Sequence, residues 1–359
     1  MRITFLSPCD SVNGGTRVLA IYAQQLKTRG HEVLVVTCAP DRLNARELLR
    51  ALRRREWQKL QHHRAPQPGH VALSGVPHKI LERARAITAD DVPDADIIIA
   101  TWWETALWMD AMPASKGRKV HLIQGYEVWL DAQLVQSVHN ALRLPNLKIA
   151  ISSDLVQTIA EKVGDLDIHL VPNAVDLVQF NAPPRSKQAL PTVGFIYSHA
   201  HIKGADICTR ACELARQQIP QLRVLAFGTD QPSTELQLPA QTDYVYRPAQ
   251  DRLKEIYAGC DAWLFGSRLD SFGLPILEAM ACRTPVIAVP IGAAHDLLSD
   301  GSGVLVAKES PEEMAAAIVA MCRQSEGDWL AGSERAYSKA HSYSWDDAAT
   351  RLLATLAQA

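Results

Sequence analysis

The sequence of 359 residues exceeds the usual size of a single domain, so two domains are expected. Hydrophobic residues make up 47% of the chain and the formal net charge is −2, which allows substantial cores and gives no overall attraction to nucleic acid. No apolar run is long enough to span a membrane, and residues 1–7 predict a first strand rather than a signal peptide. Seven scattered cysteines without a CxxC pair indicate small core residues in a reducing cytoplasm.

The first predicted elements form a β-α-β unit with a glycine-containing turn. Strand 3–7 leads through this turn into a helix over 16–29, whose apolar residues recur on one face, and a second strand follows at 32–37. The turn contains Gly14 and Gly15 without the GxGxxG spacing, so the case for dinucleotide binding is weak. A plain tight turn is one interpretation of these two glycines.

A strongly basic segment follows at residues 41–64. It holds eight Lys or Arg residues against three acidic ones, with leucines and Trp57 interleaved among them. This pattern predicts a basic amphipathic helix, which can lie on an anionic membrane surface through residues 42–64. The alternative is a solvated helix that packs its leucines on the domain. Residues 65–72 contain two prolines and a glycine and are predicted to form a loop.

Two more strands are predicted in the first half, at 96–100 and 119–123, and polar or aromatic side chains follow each of them. The carboxyl ends of parallel strands face the usual ligand crevice, so these side chains are candidates for the acceptor side of a site. The candidates are Trp102, Trp103, Glu104, Gln124 and Tyr126. The tryptophans either stack on an acceptor sugar or fill the core. The amide of Gln124 can hydrogen-bond a hydroxyl but cannot act as an acid or base.

Asp94 and Asp96 form a DxD pattern, which is a metal-binding motif in other proteins. Here the pattern precedes its strand instead of following it. We therefore discount these two carboxylates as metal ligands.

The second half repeats the alternation of strands and helices. After a strand at 147–152, Ser153 is predicted to cap the next helix, and the proline-rich stretch 181–191 has the composition of an interdomain linker. Further strands are predicted at 192–197, 222–228, 244–248, 262–265, 285–289 and 303–306. Helices are predicted to start near Ala205 and to run over 311–322 and 345–357. This alternation predicts an α/β fold with two doubly wound parallel sheets.

The most informative stretch is 267–285, which joins two predicted strands through a glycine turn and a short helix. Pro275 suits the first helical position, and the free N–H groups of the turn and the helix start attract an anion or hydroxyls. Two carboxylates, Asp270 and Glu278, flank this turn. Carboxylates repel phosphate but bind sugar and ribose hydroxyls, so the combination predicts a nucleotide sugar. Alternatively, Glu278 only complements the helix dipole and Asp270 only forms an Asx turn.

This stretch, SRLDSFGLPILEAMACRTP, resembles the E-x7-E signature of the retaining, two-domain glycosyltransferases of family 4, or glycosyl transferases group 1. The similarity extends to the opening at 14–37 and to VPNAVD at 171–176 with Phe180. Asp270 replaces the usual Glu of the family. The resemblance implies that Asp270 holds hydroxyls of the donor sugar and that Glu278 binds the ribose. It also implies that the sugar and phosphate receive backbone N–H groups from Phe272, Gly273 and Leu274.

The resemblance further implies a clamp for the donor diphosphate. Lys203 and the backbone at Gly15 correspond to this clamp, but Ser198 stands where the family has an arginine. Candidates for the missing charge are His199, His201, Arg17 and Arg268. The two histidines alternatively suggest a metal, which we discount because no carboxylate or cysteine lies beside them. Arg247 follows a strand where the family reads the nucleotide base, with an ordinary surface residue as the alternative.

The predicted donor site draws on both halves of the chain. It comprises Gly14, Gly15, Arg17, Ser198, Lys203, Arg247, Asp270, Ser271, Phe272, Gly273, Leu274 and Glu278. The predicted catalytic residues are Asp270, Glu278 and Lys203. Further departures from the family pattern are Gln124 for its His, Ala174 for its Gly and Asp296 for the Glu of its GGxxE turn.

The resemblance implies the GT-B architecture, in which two Rossmann-like domains face each other across a cleft. We expect an acceptor-side domain at 1–183, a nucleotide-sugar domain at 184–342 and a helix at 343–359 that crosses back to the first domain. The implied reaction is metal-independent transfer, with retention of configuration, from a nucleoside-diphosphate sugar to a glycan or lipid-linked acceptor. It would serve bacterial surface polysaccharide or glycolipid assembly, in the cytoplasm or at the inner face of the membrane, with no cofactor and no nucleic acid.

Two alternatives to this function stay open. One is another reaction on the same fold, such as glycan phosphorolysis or nucleotide-sugar epimerisation. The other is a non-catalytic protein that binds a nucleotide or glycan, which the departures at Ser198, Gln124 and Ala174 favour.

Overall fold

The structure is a computed structural model that describes residues 1–40, 45–53, 68–128 and 134–358. The chain divides into two compact units. The first contains Met1–Ile151, Thr158–Val171 and Ala349–Ala359, and the second contains Ser152–Gln157 and Pro172–Ala348. Each unit has its own parallel sheet covered by helices, which confirms the predicted fold class of two Rossmann-like α/β units.

The sheet of the first unit has seven parallel strands in the order β3-β2-β1-β4-β5-β6-β7. The central strands Arg2–Ser7 and Ile97–Ala100 are buried at every position except Arg2, and Ile97–Ala100 is entirely apolar, as a parallel sheet with helices on both faces requires. The strands are β1 (Arg2–Ser7), β2 (Glu32–Thr37), β3 (His78–Ile80), β4 (Ile97–Ala100), β5 (Arg118–Ile123), β6 (Leu147–Ala150) and β7 (Ile168–Leu170).

The helices of the first half are α1 (Gly14–Thr28), α2 (Ala45–Arg53), α3 (His70–Leu73), α4 (Trp103–Asp110), α5 (Val135–Leu142) and α6 (Ser153–Lys162). Helix α1 begins after Asn13, whose side chain accepts a hydrogen bond from the Thr16 N–H at 2.8 Å. Helix α2 covers part of the predicted basic helix, and residues 41–44 and 54–64 of that segment lie outside the described residues.

The loop predicted at 65–72 is wrong at its end, because α3 begins at His70. The carboxylate of Asp10 accepts hydrogen bonds from the N–H groups of Val71 and Ala72, both at 3.0 Å. These bonds satisfy amides that the start of a helix leaves without partners. The carboxylate that stabilises this short helix therefore lies 61 positions before Val71 in the sequence.

The sheet of the second unit has six parallel strands in the order β10-β9-β8-β11-β12-β13. The strands are β8 (Thr192–Ile196), β9 (Arg223–Gly228), β10 (Thr242–Tyr246), β11 (Ala262–Phe265), β12 (Val286–Ala288) and β13 (Gly303–Leu305). The helices that follow are α7 (Ala205–Arg216), α8 (Leu253–Ala258), α9 (Leu274–Ala281), α10 (Ala294–Leu298), α11 (Pro311–Arg323), α12 (Glu326–His341) and α13 (Trp345–Gln358).

One predicted cap is displaced by a residue. Ser153 is the first residue of α6, and the hydroxyl of Ser152 accepts from the Leu155 N–H at 3.2 Å. Ser152 therefore caps this helix in place of Ser153.

The strand order reverses once in each sheet, between β1 and β4 in the first unit and between β8 and β11 in the second. At such a point the two following connections leave in opposite directions and open a crevice at the carboxyl ends of the strands, where ligands of these folds bind. Among the described residues, no helix has the length and apolar composition to cross a membrane.

Candidate active site

The crevice of the second unit brings Lys203 and Asp270 together. Lys203 ends a short 3-10 turn (His201–Lys203) after β8, and Asp270 lies in the loop after β11. The ammonium of Lys203 donates to Asp270 Oδ2 at 2.8 Å. The Lys203 side chain is 42% exposed and that of Asp270 is 17% exposed, so the pair is accessible to a ligand.

Close backbone packing holds these two loops together. Gly204 follows Lys203 in the left-handed region with φ of 63°, and a Cβ there would lie 1.8 Å from the carbonyl oxygen of Gly266. Only glycine fits such an approach. The backbone N–H of Arg268 also donates to the carbonyl of Ile202 at 2.8 Å. The position of Lys203 relative to the loop of Asp270 is therefore fixed by the main chain.

The second oxygen of Asp270 organises the loop at 270–273. Asp270 Oδ1 accepts from the N–H groups of Phe272 at 3.2 Å and Gly273 at 2.8 Å. Two of the amides predicted to face a ligand thus bind the carboxylate of their own loop, in an Asx-type turn. The third, the N–H of Leu274, starts α9 and has no acceptor within the helix.

The carboxylate of Glu278 is positioned by a hydrogen bond from a cluster of buried aromatic residues. It lies on α9, is 6% exposed, and its Oε2 accepts from the hydroxyl of Tyr257 at 2.7 Å. Tyr257 is fully buried, with its ring centroid 4.5 Å from that of Trp263 and 5.9 Å from that of Phe227. Gly194 leaves room for this cluster, since a Cβ there would lie 2.5 Å from Trp263. The carboxylate therefore has a rigid support.

The start of helix α6 also contacts this loop within the second unit. Ser152 Oγ donates to the carbonyl of Ser271 at 2.7 Å, and the N–H of Gly292 donates to Asp154 at 3.3 Å. Asp296, which stands where the family has the Glu of its GGxxE turn, accepts from the hydroxyl of Ser153. These bonds fix the backbone at Ser271, directly after Asp270, and at Gly292.

Ser198, at the position of the family arginine, belongs to a different contact. Its hydroxyl donates to Asp230 Oδ2 at 3.1 Å, and the N–H of His199 donates to the same oxygen at 2.8 Å. Asp230 follows β9, so this carboxylate connects the loops after two neighbouring strands. Asp230 was not among the predicted residues, because no local pattern marks it.

Arg268 is already neutralised by carboxylates. Its guanidinium donates to Asp206 at 2.7 and 2.8 Å and to Glu309 at 2.9 Å, and it also donates to the carbonyl of His201 at 2.8 Å. The hydrogen bonds from Arg268 lower the pKa of Asp206. Arg268 therefore holds the turn of Lys203 and does not replace the positive charge missing at Ser198.

Arg247 lies at the carboxyl end of β10 on the same edge of the sheet. Its backbone is in the left-handed region with φ of 47°, and its N–H donates to the carbonyl of Gly228 at 2.8 Å. The guanidinium lies over the ring of Tyr246 at 5.2 Å and the residue is exposed. This position leaves the face of the guanidinium opposite Tyr246 accessible, and base recognition there stays a prediction.

In the first unit, Gly15 at the start of α1 lies beside Gln124, which follows β5. A Cβ on Gly15 would be 3.7 Å from Gln124 Oε1. This oxygen is buried and has no hydrogen-bond partner among the residues described. Gly14 is exposed and Arg17 half-buried in the same turn of helix.

The other acceptor-side candidates differ in exposure. Trp103 is 8% exposed and its ring belongs to the core, whereas Trp102 and Glu104 are half-buried. The hydroxyl of Tyr126 and His139 Nε2 are hydrogen-bonded at 2.7 Å with stacked rings. Burial raises the pKa of Tyr126 and lowers that of His139.

Glu127, which was not among the predicted residues, is a buried acid next to Tyr126. It is 4% exposed, and burial raises the pKa of its carboxyl to about 8. Its position directly after the predicted candidates was the available signal. Its burial depends on tertiary packing that no local pattern shows.

The two carboxylates of the DxD pattern do not meet a common ligand. Asp94 pairs with Lys116 at 3.0 Å and Asp96 with Arg2 at 3.2 Å, before the start of β4. Within the described ranges, no group of three His, Cys, Asp or Glu side chains is placed to hold a metal ion.

Comparison with known families agrees with this geometry. Residues 12–179 match the profile of Glycosyltransferase Family 4, and residues 190–324 match that of Glycosyl transferases group 1. The chain belongs to the family 4, group 1 glycosyltransferases. The first match ends just before the proline-rich stretch 181–191 predicted as a linker, and the second begins at the end of that stretch.

Sequence relatives of this glycosyltransferase include two proteins named D-inositol 3-phosphate glycosyltransferase. The protein of Xylanimonas cellulosilytica is 28% identical over 295 residues, which cover 66% of this chain and 70% of that protein. The protein of Nocardiopsis dassonvillei is 27% identical over 250 residues, which cover 62% of this chain and 58% of that protein. The chain thus spans 70% and 58% of the length of these two relatives.

Solved structures resemble this glycosyltransferase over its whole length. Anabaena HepE in complex with UDP-glucose has a TM-score of 0.75 at 17% identity, with all of both chains covered. Sucrose-phosphate synthase from Thermosynechococcus elongatus has a TM-score of 0.72 at 17% identity, with 100% of this chain and 98% of that chain covered. At these identities the likeness supports the fold alone.

Proposed function

We propose that this glycosyltransferase moves a sugar from a nucleoside-diphosphate sugar to a hydroxyl of a glycan or lipid-linked acceptor, with retention of configuration. The observation that carries the proposal is the contact between Lys203 and Asp270 in the crevice between β8 and β11. It places a cation and a carboxylate 2.8 Å apart beside the first N–H of α9. A phosphate group needs a cation such as Lys203, and sugar hydroxyls need a hydrogen-bond acceptor such as the carboxylate of Asp270.

The diphosphate is assigned to Lys203 and the start of α9. The Lys203 ammonium has three donors, of which the contact with Asp270 uses one. The N–H of Leu274 and the positive end of the helix add fixed dipoles. Charge that develops on the leaving phosphate meets groups already in place, which is the most effective form of electrostatic stabilisation.

The hydroxyl groups of the donor are assigned to the two carboxylates. Asp270 accepts from the sugar, since its side chain reaches the accessible side of the loop. Glu278 accepts from the ribose, with its direction fixed by Tyr257. The shorter acid at position 270 pairs with Lys203.

In the proposed reaction, the bond between the anomeric carbon and the phosphate oxygen breaks. The acceptor oxygen forms its bond on the same face of the sugar, and its proton passes to the leaving phosphate. Lys203 supplies the positive charge, so we expect transfer to continue in the presence of EDTA. Trp102, Gln124 and Tyr126 of the first unit are assigned to the acceptor.

The test uses the full chain in a thermal-shift panel of nucleoside diphosphates, followed by assays with the matching labelled sugar donors. A diphosphate at about 100 times its dissociation constant should add about 2.7 kcal/mol of stability. The anomeric configuration of the product is then read by NMR. Absence of any nucleotide-dependent shift, or an inverted product, contradicts the proposal.

A non-catalytic nucleotide-binding protein is the second candidate. Ser198 and Arg268 favour it, because one lacks the family's charge and the other is neutralised by Asp206 and Glu309. Tight diphosphate binding without donor hydrolysis or transfer identifies this candidate. Turnover of the labelled donor excludes it.

We also propose contact with an anionic membrane through α2. Arg46, Arg50 and Arg53 lie on one face of this helix by their spacing, and Leu49 and Leu52, each 50% exposed, lie on an adjacent face. Sedimentation with anionic vesicles tests this, with a triple Arg→Gln variant of the three arginines as comparison. Equal sedimentation of both proteins contradicts a role for α2.

A further inference from the structure

A cavity of about 550 Å³ lies at the amino ends of β5, β6 and β7 in the first unit. Its polar lining comes from Arg118, Lys119, Asn146, Asp167 and His169. Because all strands of the sheet are parallel, this edge is opposite the edge that carries Gln124 and Tyr126. Six residues of β5 separate the two edges, which corresponds to roughly 20 Å. The cavity is therefore distinct from the candidate active site.

The cavity contains buried polar atoms without protein partners. Both Oδ1 and Nδ2 of Asn146, and Nε of Arg118, are inaccessible and have no hydrogen-bond partner among the residues described. Buried polar groups in folded proteins are almost always paired, and leaving them unpaired costs stability. The amide of Asn146 has no partner for its N–H groups or for its oxygen among the residues described. It therefore matches a ligand group that both donates and accepts hydrogen bonds, such as a hydroxyl.

The charges around the cavity favour an anion. Arg118 donates to the carbonyl of Leu356, and Lys119 donates to the carbonyl of Asp110 at 2.6 Å. Carbonyl groups satisfy donors without neutralising charge, and no ion pair of either cation occurs in the described parts of the chain. Against these two cations the lining has one carboxylate, that of the exposed Asp167.

Close backbone packing fixes the rim of the cavity next to Arg118 and Lys119. Gly117 precedes Arg118 with φ of 109°, and a Cβ there would lie 2.7 Å from the backbone nitrogen of Ile97. The turn at 114–117 is thus pressed against the start of β4. A cavity of this size is within the usual range for small-molecule sites, about 300–1,000 Å³.

We propose that this cavity binds a small hydroxylated anion, of the class of a sugar phosphate. Arg118 and Lys119 contact the anionic group, and the buried amide of Asn146 turns into the cavity to bind a hydroxyl. Arg118 connects the site to the last turn of α13 through Leu356. The ligand therefore stabilises the contact between this helix end and the start of β5, both of which belong to the first unit. The proposal does not depend on the donor site.

The probes are inorganic phosphate, D-glucose 6-phosphate and neutral D-glucose, measured on the full chain by calorimetry and thermal shift with UDP present in excess. We expect saturable binding of glucose 6-phosphate, weaker binding of phosphate and none of glucose. Asn146→Leu and Lys119→Gln should each weaken glucose 6-phosphate at least tenfold. Lys162→Gln removes the same charge from the exposed end of α6 and should change nothing.

Two further measurements distinguish the cavity from the donor site and from a surface that binds lipid headgroups. Glu278→Gln should keep the binding, because that residue belongs to the donor site of the second unit. Vesicles that contain phosphatidic acid should sediment wild type and Lys119→Gln equally, since the expected ligand is a free small molecule. The proposal is overturned by absence of saturable binding to wild type, by undiminished binding in Asn146→Leu and Lys119→Gln, or by vesicle binding that requires Lys119.

Discussion

The two sheets present different chemistry in equivalent places. In the second unit, the crevice beside β8 and β11 holds opposite charges in direct contact, Lys203 with Asp270, and a carboxylate supported by buried aromatics, Glu278 with Tyr257. In the first unit, the carboxyl edge holds glycines, tryptophans and an amide oxygen of Gln124 without a partner among the described residues.

This difference indicates that the two units suit different kinds of ligand. The groups of the second unit are already oriented by one another and by backbone bonds, as a site for a fixed, charged ligand requires. The groups of the first unit are mostly neutral, and the amide oxygen of Gln124 has no partner among the described residues. Such groups suit a ligand recognised through hydroxyls. Variants that remove one group from each unit should therefore have different consequences.

The largest effect is expected for Lys203→Ala. Loss of one preorganised charge at the leaving phosphate should lower kcat by about 10²–10³-fold. The melting temperature should hardly change, because partly exposed ion pairs contribute about 0.2–1 kcal/mol. Steady-state kinetics with the labelled donor and a thermal melt measure both. Lys162→Ala, a matched change at an exposed lysine, should leave both unaltered, and a fully active Lys203→Ala removes Lys203 from the mechanism.

Glu278→Ala should affect both activity and stability. The buried hydroxyl of Tyr257 loses its carboxylate partner, which costs about 1–3 kcal/mol, in addition to the lost ribose contact. Tyr257→Phe removes the same hydrogen bond but leaves the carboxylate. Denaturant unfolding of both single variants and the double variant gives the coupling energy. A coupling energy near zero would show that the two residues act independently.

Glu127 predicts a pH dependence that belongs to the first unit. Its folded pKa of about 8 lies above the ordinary value, so the native state binds a proton that the unfolded state releases. The free energy of unfolding that depends on Glu127 is therefore highest below the ordinary pKa of the residue. It falls as the pH rises toward 8 and does not change further above that pH. Unfolding free energies of wild type and Glu127→Gln across this range measure it. Parallel curves for the two proteins contradict a raised pKa.

The elements that the sequence predicted best are buried and apolar. The strands at 32–37 and 262–265 were predicted with the bounds that the structure has. The short strands β3 and β7, with sequences HKI and IHL, have polar residues and few positions, so no periodicity identified them. Helix α12 contains two glycines and mixed polarity, and its place depends on the buried Trp329.

The residues of the candidate site also differ in whether the sequence identified them. Motif positions such as Lys203 and Asp270 were identifiable because the sequence around them resembles the pattern of the family. Their partners were not, since Tyr257 meets Glu278 across 21 positions and Asp230 meets Ser198 across 32. The cavity beside Asn146 could not be predicted from the sequence either, because it forms between the amino ends of three separate strands.

The smallest effect should come from Gln124→Met, which sharpens the comparison from the side of the first unit. The replaced oxygen has no partner within the described residues, so stability should change by less than about 1 kcal/mol. Acceptor KM should rise while kcat stays the same, as for a group that binds substrate and transition state equally. Gln188→Met is the matched control: its amide donates to the Ala258 carbonyl at 3.2 Å, so this variant should lose stability and keep its KM. If acceptor KM is unchanged in Gln124→Met, the acceptor is recognised elsewhere and the contrast between the two units loses its functional meaning.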